Sequence, residues 1–348
     1  MRYSYFDIAR FLVMLMVVSG HLTGNMIVGN CMPQWYSNFN IGVAMPLFFI
    51  ISGYFAERSF CRGLYRIVFR IIGFLWPVAA FGLIFGVVLF VIGKASIYKA
   101  LLYPLARVYC GSWFLLTLAL LYSIVAIVWN LAKRTTSRLL IILAIYVLLF
   151  FTAEQGRMSS ILKIPYILDM MPYFVFGLFL PYLKWHQNNL IAILSGIIFL
   201  SIVFLEGDIS TNGMGFYWVP KNWRIVVGDA HLLVCFFART LVGILGTVFI
   251  LRLLDRLVSI LPMISKLSIF GTTTLGVYVI HEWPLVQIHK YFDIVPLSSV
   301  WQWPLTFALF FICHYMTVVI SSNRCLKFFF FGDEAWLASV LEKGLERR

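Results

Sequence analysis

The feature that most constrains this chain is a series of long apolar segments separated by short polar or basic connections. Such a segment crosses a hydrocarbon core of about 30 Å when it holds roughly 20 residues of α-helix. Hydrophobic residues make up 62% of the sequence and charged residues only 12%, which is far more apolar than a soluble domain. We therefore predict an all-α, polytopic helix bundle in a membrane, with about ten transmembrane helices. The predicted spans are residues 8–28, 41–57, 67–93, 112–132, 138–153, 166–184, 190–205, 232–254, 267–288 and 300–321.

Lysine and arginine residues predict the orientation of these spans, because short cytoplasmic loops carry an excess of positive charge. If the N-terminus lies in the cytoplasm, the basic stretches 58–70, 133–138 and 252–266 all face that side. The loop at 29–40, on the opposite side, contains no basic residue. An even number of spans then places both the N- and C-termini in the cytoplasm.

The same pattern predicts a simple domain organisation. We expect a membrane domain at 1–322 and a cytoplasmic tail at 323–348 that is too short to form its own core. The net charge of +13 reflects the basic loops, and no contiguous basic domain is present to bind nucleic acid, so membrane lipids are the expected partners. The six cysteines lack metal-ligand spacing, and no metal is expected. Cys31 and Cys110, on the predicted outer side, fit either a disulfide or two unpaired thiols.

Two titratable side chains, Arg10 and His21, lie inside the first apolar segment. On an α-helix their spacing corresponds to a rise of about 16 Å and a rotation within roughly 20° of the same face. They are therefore predicted to share one stripe at two depths, and such groups inside a span indicate a functional site. A histidine, with an unperturbed pKa of about 6.5, suits a general base. Arg10 stays protonated, so we expect it to bind a phosphate or to hold Asp7.

Three later spans contain short motifs: PLFFIISGYF at 46–55, GSWFLL at 111–116 and LGVYVIHEWPL at 275–285. Within the last motif, Tyr278 and His281 are three residues apart and share a helix face. His281 is therefore expected either to line a site near the first span or to be a polar core residue.

Arginines recur at every fourth residue of the stretch RSFCRGLYRIVFR, at positions 58, 62, 66 and 70. This spacing predicts a basic ridge along one helix face. Two interpretations are open at this point. The ridge binds lipid phosphates, or it docks a soluble polyanion whose phosphate oxygens match the guanidinium fork.

Together with YFDIAR and His21, these motifs resemble the membrane acyltransferase-3 family in order and placement, from residue 5 to about 320. The resemblance implies an O-acyltransferase of the bacterial inner (cytoplasmic) membrane. It implies transfer of an acyl group, expected to be acetyl, from acetyl-CoA to a hydroxyl of a surface polysaccharide such as an O-antigen, or of its lipid-linked precursor. Acetyl-CoA is then a donor substrate, and no permanently bound cofactor is expected.

The resemblance also implies roles for individual residues. Arg10 and His21 match the family's catalytic pair, and His21 acts either as a general base or as a carrier that is itself acylated. Arg66 and Arg70 match a pair of arginines that is more often separated by two residues than by three. The expected donor- and substrate-binding residues are Ser52, Tyr54, Arg66, Arg70, Trp113, Tyr278 and His281.

The predicted outer loop at 206–231 is rich in aromatic and polar residues. These residues suit contact with sugar rings, although aromatic residues also collect at membrane interfaces. An alternative function for the whole chain is an exporter of an anionic or glycan substrate, with Arg10 and His21 along its path. An exporter leaves its substrate chemically unchanged, which distinguishes it from the enzyme.

Overall fold

The computed structural model describes residues 3–24, 27–29, 33–60, 64–106, 113–153, 164–205, 231–291 and 295–332. Over this part of the chain the fold is built from α-helices and short 3-10 turns, without a β-strand. Cys31, Cys110 and residues 206–230 of the outer loop lie outside the described residues. The helices are α1 (Ser4–Gly24), α2 (Gln34–Phe60), α3 (Leu64–Val91), α4 (Ile97–Ala106), α5 (Trp113–Leu131), α6 (Thr135–Ala153), α7 (Ile164–Leu183), α8 (Asn189–Leu205), α9 (His231–Ile260), α10 (Ser268–Gly271), α11 (Thr274–Tyr291), α12 (Gln302–Ser322) and α13 (Arg324–Phe331).

Each predicted span coincides with one of these helices or with a bent pair of them. Among the described residues, six helices are long and apolar enough to cross a membrane, or seven if the bent pair is one span. The apolar segments Thr135–Leu149 and Asn189–Phe204 are shorter. The all-α, polytopic membrane fold is therefore confirmed, and the side on which the termini lie stays a prediction.

The ninth predicted span, 267–288, is not one straight helix. The segments Pro262–Gly271 and Thr274–Glu282 meet at an angle of 48°. The first segment packs closely on α1 at the break, because a Cβ atom on Gly271 would lie 1.8 Å from the backbone oxygen of Asp7. The hydroxyls of the intervening threonines donate to carbonyl oxygens of the preceding turn, at 2.8 and 3.0 Å, which satisfies groups at the helix end.

Helix α1 is the central element of the bundle and packs against α2, α9, α10, α11 and α12. Helices α2 and α7 approach most closely at two glycines. A Cβ atom on Gly53 would lie 2.0 Å from the backbone oxygen of Phe174, and one on Gly177 would lie 2.0 Å from that of Ile50. Small residues let helix backbones touch in this way. This contact orients the half of α2 that carries Ser52.

An ion pair that the sequence analysis missed joins α7 to α9. Nη2 of Arg239 lies 3.0 Å from Oδ2 of Asp169, and their side chains are 11% and 5% exposed.

Removing one partner of a buried pair leaves an uncompensated charge, which costs about 3–5 kcal/mol. We expect Arg239→Leu to lower the free energy of unfolding by about that amount. Chemical unfolding in detergent micelles measures this free energy. Adding Asp169→Leu to the variant should restore most of the lost stability. A double variant as unstable as the single one would contradict this account.

His186 lies in the turn between α7 and α8 and is buried against the rings of Tyr5, Phe6 and Tyr54, at centroid distances of 5.9 to 6.4 Å. Burial lowers the pKa of His186 from 6.5 to about 4. Between pH 4 and pH 6.5 the unfolded chain binds a proton at His186 that the folded chain does not. The free energy of unfolding is therefore lowered as the pH falls from 6.5 towards 4.

We expect His186→Phe to flatten this pH dependence of the free energy of unfolding. Unfolding temperatures measured from pH 7 to pH 4 test it, and parallel profiles for the two proteins would show that His186 does not cause the loss.

Candidate active site

A cavity of about 270 Å³ lies between α1, α2, α3, α5 and the break between α10 and α11. Four of the predicted site residues line this cavity: Arg10, Ser52, Arg70 and Tyr278. Phe331 of α13 also lines it, so the start of α1 and the end of the described chain meet at one end of the bundle. The remaining lining residues are Met14, Phe48, Gly73, Phe74, Phe114, Leu115, Leu118, Gly271, Thr272, Thr274 and Leu275.

Arg10 is held in place by its neighbours on two sides. Its Nη1 donates to Oδ1 of buried Asp7 at 3.1 Å, one turn earlier on α1. Its Cζ lies 5.4 Å from the ring centroid of Phe55, a cation–π distance. The pairing with Asp7, which the sequence offered as an alternative to phosphate binding, thus forms while the guanidinium still lines the cavity. The two roles are compatible, because the carboxylate orients the guanidinium.

The two arginines predicted as a pair on α3 lie in different places. Arg70 lines the cavity, with its Cζ 5.3 Å from the ring of Phe74. Arg66 lies one turn nearer to the start of α3, is exposed, and donates from Nε to the hydroxyl oxygen of Tyr65 at 2.9 Å. Arg66 does not line the cavity. The structure therefore brings one of the two guanidinium groups to the site.

His21 and His281 form a stacked pair, with ring centroids 5.2 Å apart and planes inclined by 29°. Nδ1 of fully buried His281 lies 2.7 Å from the carbonyl oxygen of Val277. Because a carbonyl only accepts, Nδ1 carries the proton and Nε2 of His281 is the acceptor nitrogen. Nε2 has no hydrogen-bond partner among the described residues. The fold thus places an imidazole of defined tautomer beside His21.

A chain of aromatic contacts connects the cavity to this histidine pair. Phe114 lies 5.3 Å from Tyr278, and Tyr278 lies 6.0 Å from His281, between ring centroids. His21 itself does not line the cavity. The deepest cavity residue on α1 is Met14, seven residues or about 10 Å before His21 on the same helix face. Tyr278 therefore separates the cavity from the histidines.

Two other predicted site residues lie away from the cavity lining. Tyr54 is buried against Phe6, with ring centroids 4.6 Å apart. Trp113 stacks on Tyr166 at 5.0 Å. The residue after it, Phe114, lines the cavity instead, so the motif GSWFLL contributes to the site through a neighbouring position.

Sequence reasoning missed two features of the site, the helix break and Phe331. Thr272 and Thr274 line the cavity at the helix break, and the run Gly-Thr-Thr-Thr inside an apolar span was a signal for that break. Phe331 gave no signal, because it lies in the predicted tail, far from the motifs. Among the described residues, no cluster of histidine, cysteine, aspartate and glutamate side chains could hold a metal ion.

Apart from Phe331, the site lies within the range of the chain that a known family model matches. A family model described as an acyltransferase domain matches residues 3–319, almost the whole described bundle. The chain belongs to the acyltransferase-3 family. This member of the acyltransferase-3 family is an acyltransferase, and its apolar helices make it a multi-pass membrane protein. No curated protein and no solved structure matches the chain significantly.

Proposed function

We propose that this acyltransferase moves an acetyl group from acetyl-CoA to a hydroxyl of a cell-surface polysaccharide, such as an O-antigen, or of its lipid-linked precursor, at the bacterial inner membrane. The observation that carries the proposal is the spacing of Arg10 and His21 along α1. Arg10 and Arg70 present two guanidinium groups to one cavity, and the histidine pair lies deeper in the bundle. Guanidinium groups match phosphate oxygens in geometry and charge.

The size of the donor fits this spacing. The arm of coenzyme A contains about 13 bonds from the thioester sulfur to the first phosphate. Its extended length is roughly 16 Å, if each bond adds as much length as in an extended polypeptide. Arg10 and His21 are separated by a rise of about 16 Å on α1. A pyrophosphate bound by Arg10 and Arg70 therefore brings the thioester to His21. The cavity, at about 270 Å³, is smaller than pockets for complete ligands, so the arm must pass Tyr278 to reach the histidines.

In the proposed reaction, the acceptor hydroxyl attacks the thioester carbonyl carbon. A carbon–oxygen bond forms, the carbon–sulfur bond breaks, and the hydroxyl proton goes to the imidazole of His21. The coenzyme leaves as a thiolate and takes up that proton as the thiol. In the variant with an acyl-histidine, the imidazole attacks first and the sugar hydroxyl then attacks the acylated ring. Both routes have the same products: an acetyl ester and free coenzyme A.

Buried polar groups near His21 support a polar acceptor. Gln302 donates from Nε2 to Oγ of Ser19 at 2.9 Å, and both side chains are buried. Asn40 donates from Nδ2 to the carbonyl oxygen of Met16 at 3.2 Å. Amide and hydroxyl groups of this kind hydrogen-bond sugar hydroxyls. The amides of Gln302 and Asn40 come from α12 and α2 and contact α1 at Ser19 and Met16, within five residues of His21, where an acceptor would meet the thioester.

The proposal is tested by following both substrates. Membranes containing the protein are supplied with acetyl-CoA, and free thiol is measured with a thiol-reactive dye. Surface glycans from cells with and without the gene are compared by mass spectrometry. We expect thiol release that depends on the protein and acetyl groups on the glycan only when the gene is present. A glycan that is relocated but chemically unchanged, without thiol release, would favour an exporter and contradict the proposal.

A further inference from the structure

Helix α13 (Arg324–Phe331) closes one side of the cavity. It follows α12 after Asn323, whose side-chain oxygen accepts hydrogen bonds from two backbone N–H groups of its first turn, at 2.9 and 3.2 Å. This N-cap fixes the direction in which α13 leaves α12. At the other end of α13, Phe331 lines the cavity together with Arg10 and Arg70.

Helix α13 is attached to α3 by a hydrogen bond and by contacts between aromatic rings. Nε1 of Trp76 donates to the carbonyl oxygen of Phe329 at 2.8 Å. The ring centroid of Phe81 lies 5.1 Å from that of Phe330 and 6.0 Å from that of Phe331. The aromatic end of α13 is therefore a packed part of the bundle.

These contacts define the depth of Phe331. Trp76 and Phe81 lie six and eleven residues beyond Arg70 on α3, or about 9 and 16 Å further along the helix. Because Phe331 packs on Phe81 and still lines the cavity, its ring lies deeper in the bundle than the guanidinium of Arg70. Phe331 therefore lies further along α3 than Arg70, on the wall of the cavity that the two residues share.

The family match gives no role to this residue. It ends at residue 319, before α13 begins. Phe331 is thus an addition to the cavity from a part of the chain that the family model does not describe.

We propose that Phe331 is a specificity-determining residue that packs against the arm of the acyl donor, between its phosphates and its thioester. The inference rests on the proposed function. If the two arginines bind the pyrophosphate, the arm, with its methyl and methylene groups, runs past Phe331 on its way to His21. The ring then buries apolar surface of the arm, and α13 with its row of phenylalanines separates that surface from the surrounding lipid.

The test compares two probes that differ in the arm. Acetyl-CoA contains it, and adenosine 3′,5′-bisphosphate lacks it while keeping the nucleotide. Dissociation constants are measured by titration calorimetry on the full chain in detergent micelles. We expect Phe331→Ala to weaken acetyl-CoA binding about 10-fold, because the ring no longer buries apolar surface of the arm, and to leave nucleotide binding unchanged.

Phe329→Ala is the matched control, because its ring is exposed, does not line the cavity, and its backbone oxygen is retained for Trp76. Phe331→Leu keeps more apolar surface and is expected to weaken acetyl-CoA binding by about threefold. This variant replaces Phe331→Ala in the test if the alanine variant does not fold. Equal losses for both probes, or no loss for either, would overturn the role of Phe331 while leaving the proposed function intact. A wild-type protein that binds neither probe would instead contradict the proposed function itself.

Discussion

Replacing His21 by alanine is expected to reduce acetyl transfer by about 10²- to 10⁴-fold, the contribution of a positioned general base. His21 lies in the last turn of α1 and stacks on His281, with ring centroids 5.2 Å apart, at a rise of about 16 Å from Arg10. No other side chain on this stripe of α1 accepts a proton near neutral pH, because Arg10 stays protonated and Met14 has no acidic or basic group. The loss should appear in kcat rather than in the affinity for acetyl-CoA, since the proton is transferred only in the reaction.

Leu12→Ala is a suitable control for this experiment. Leu12 lies on the same helix, is 39% exposed, and does not line the cavity. It should change neither thiol release nor glycan acetylation. Equal amounts of each variant in the membrane, with equal unfolding temperatures, would show that the loss in His21→Ala is chemical. Full activity of a well-folded His21→Ala protein would remove this residue from the mechanism.

Replacing Arg70 by alanine is expected to raise KM for acetyl-CoA by about 10- to 100-fold. A hydrogen bond to a charged group contributes about 1.5–3 kcal/mol, and each 1.4 kcal/mol corresponds to a factor of ten. Because the phosphates are bound equally in the ground state and in the transition state, kcat should change little. The measurement is thiol release at a series of donor concentrations, at low and at moderate ionic strength.

Arg66→Ala is the matched control on the same helix face. Arg66 has the same charge, lies one turn away and is exposed like Arg70, but it does not line the cavity. Its removal should raise KM only slightly, through a weaker and salt-dependent attraction for the anionic donor. If the two variants had equal effects, the arginines would act as a general basic surface and Arg70 would have no specific role in donor binding.

The local parts of the site were predictable from the sequence. The stripe on α1 that carries Arg10 and His21 follows from helical periodicity, and the shared face of Tyr278 and His281 follows in the same way. The small-residue contact at Gly53 was also readable, because glycine in an apolar helix favours a close backbone approach. Each of these features depends on residues of a single segment.

Other parts of the site required knowledge of the packing. Helical spacing gave Arg66 and Arg70 equal weight, yet the cavity reaches only one turn of α3. The motif around Trp113 indicated the correct segment, but Phe114 is the residue that faces the cavity. Phe331 could not be predicted, since its position depends on the contact of α13 with Trp76 and Phe81.

The sequence by itself determined that this protein is a membrane helix bundle of the acyltransferase-3 family, with a histidine and an arginine on one face of its first span. Only the tertiary structure decided that His21 stacks on His281, that the ninth span is broken after Gly271, and that Phe331 of α13 lines the cavity. The physical reason is the range of the interactions. Periodicity and hydrophobicity act within one helix and are written in consecutive residues, whereas a cavity forms where helices distant in sequence meet, and its shape depends on how all of them pack together.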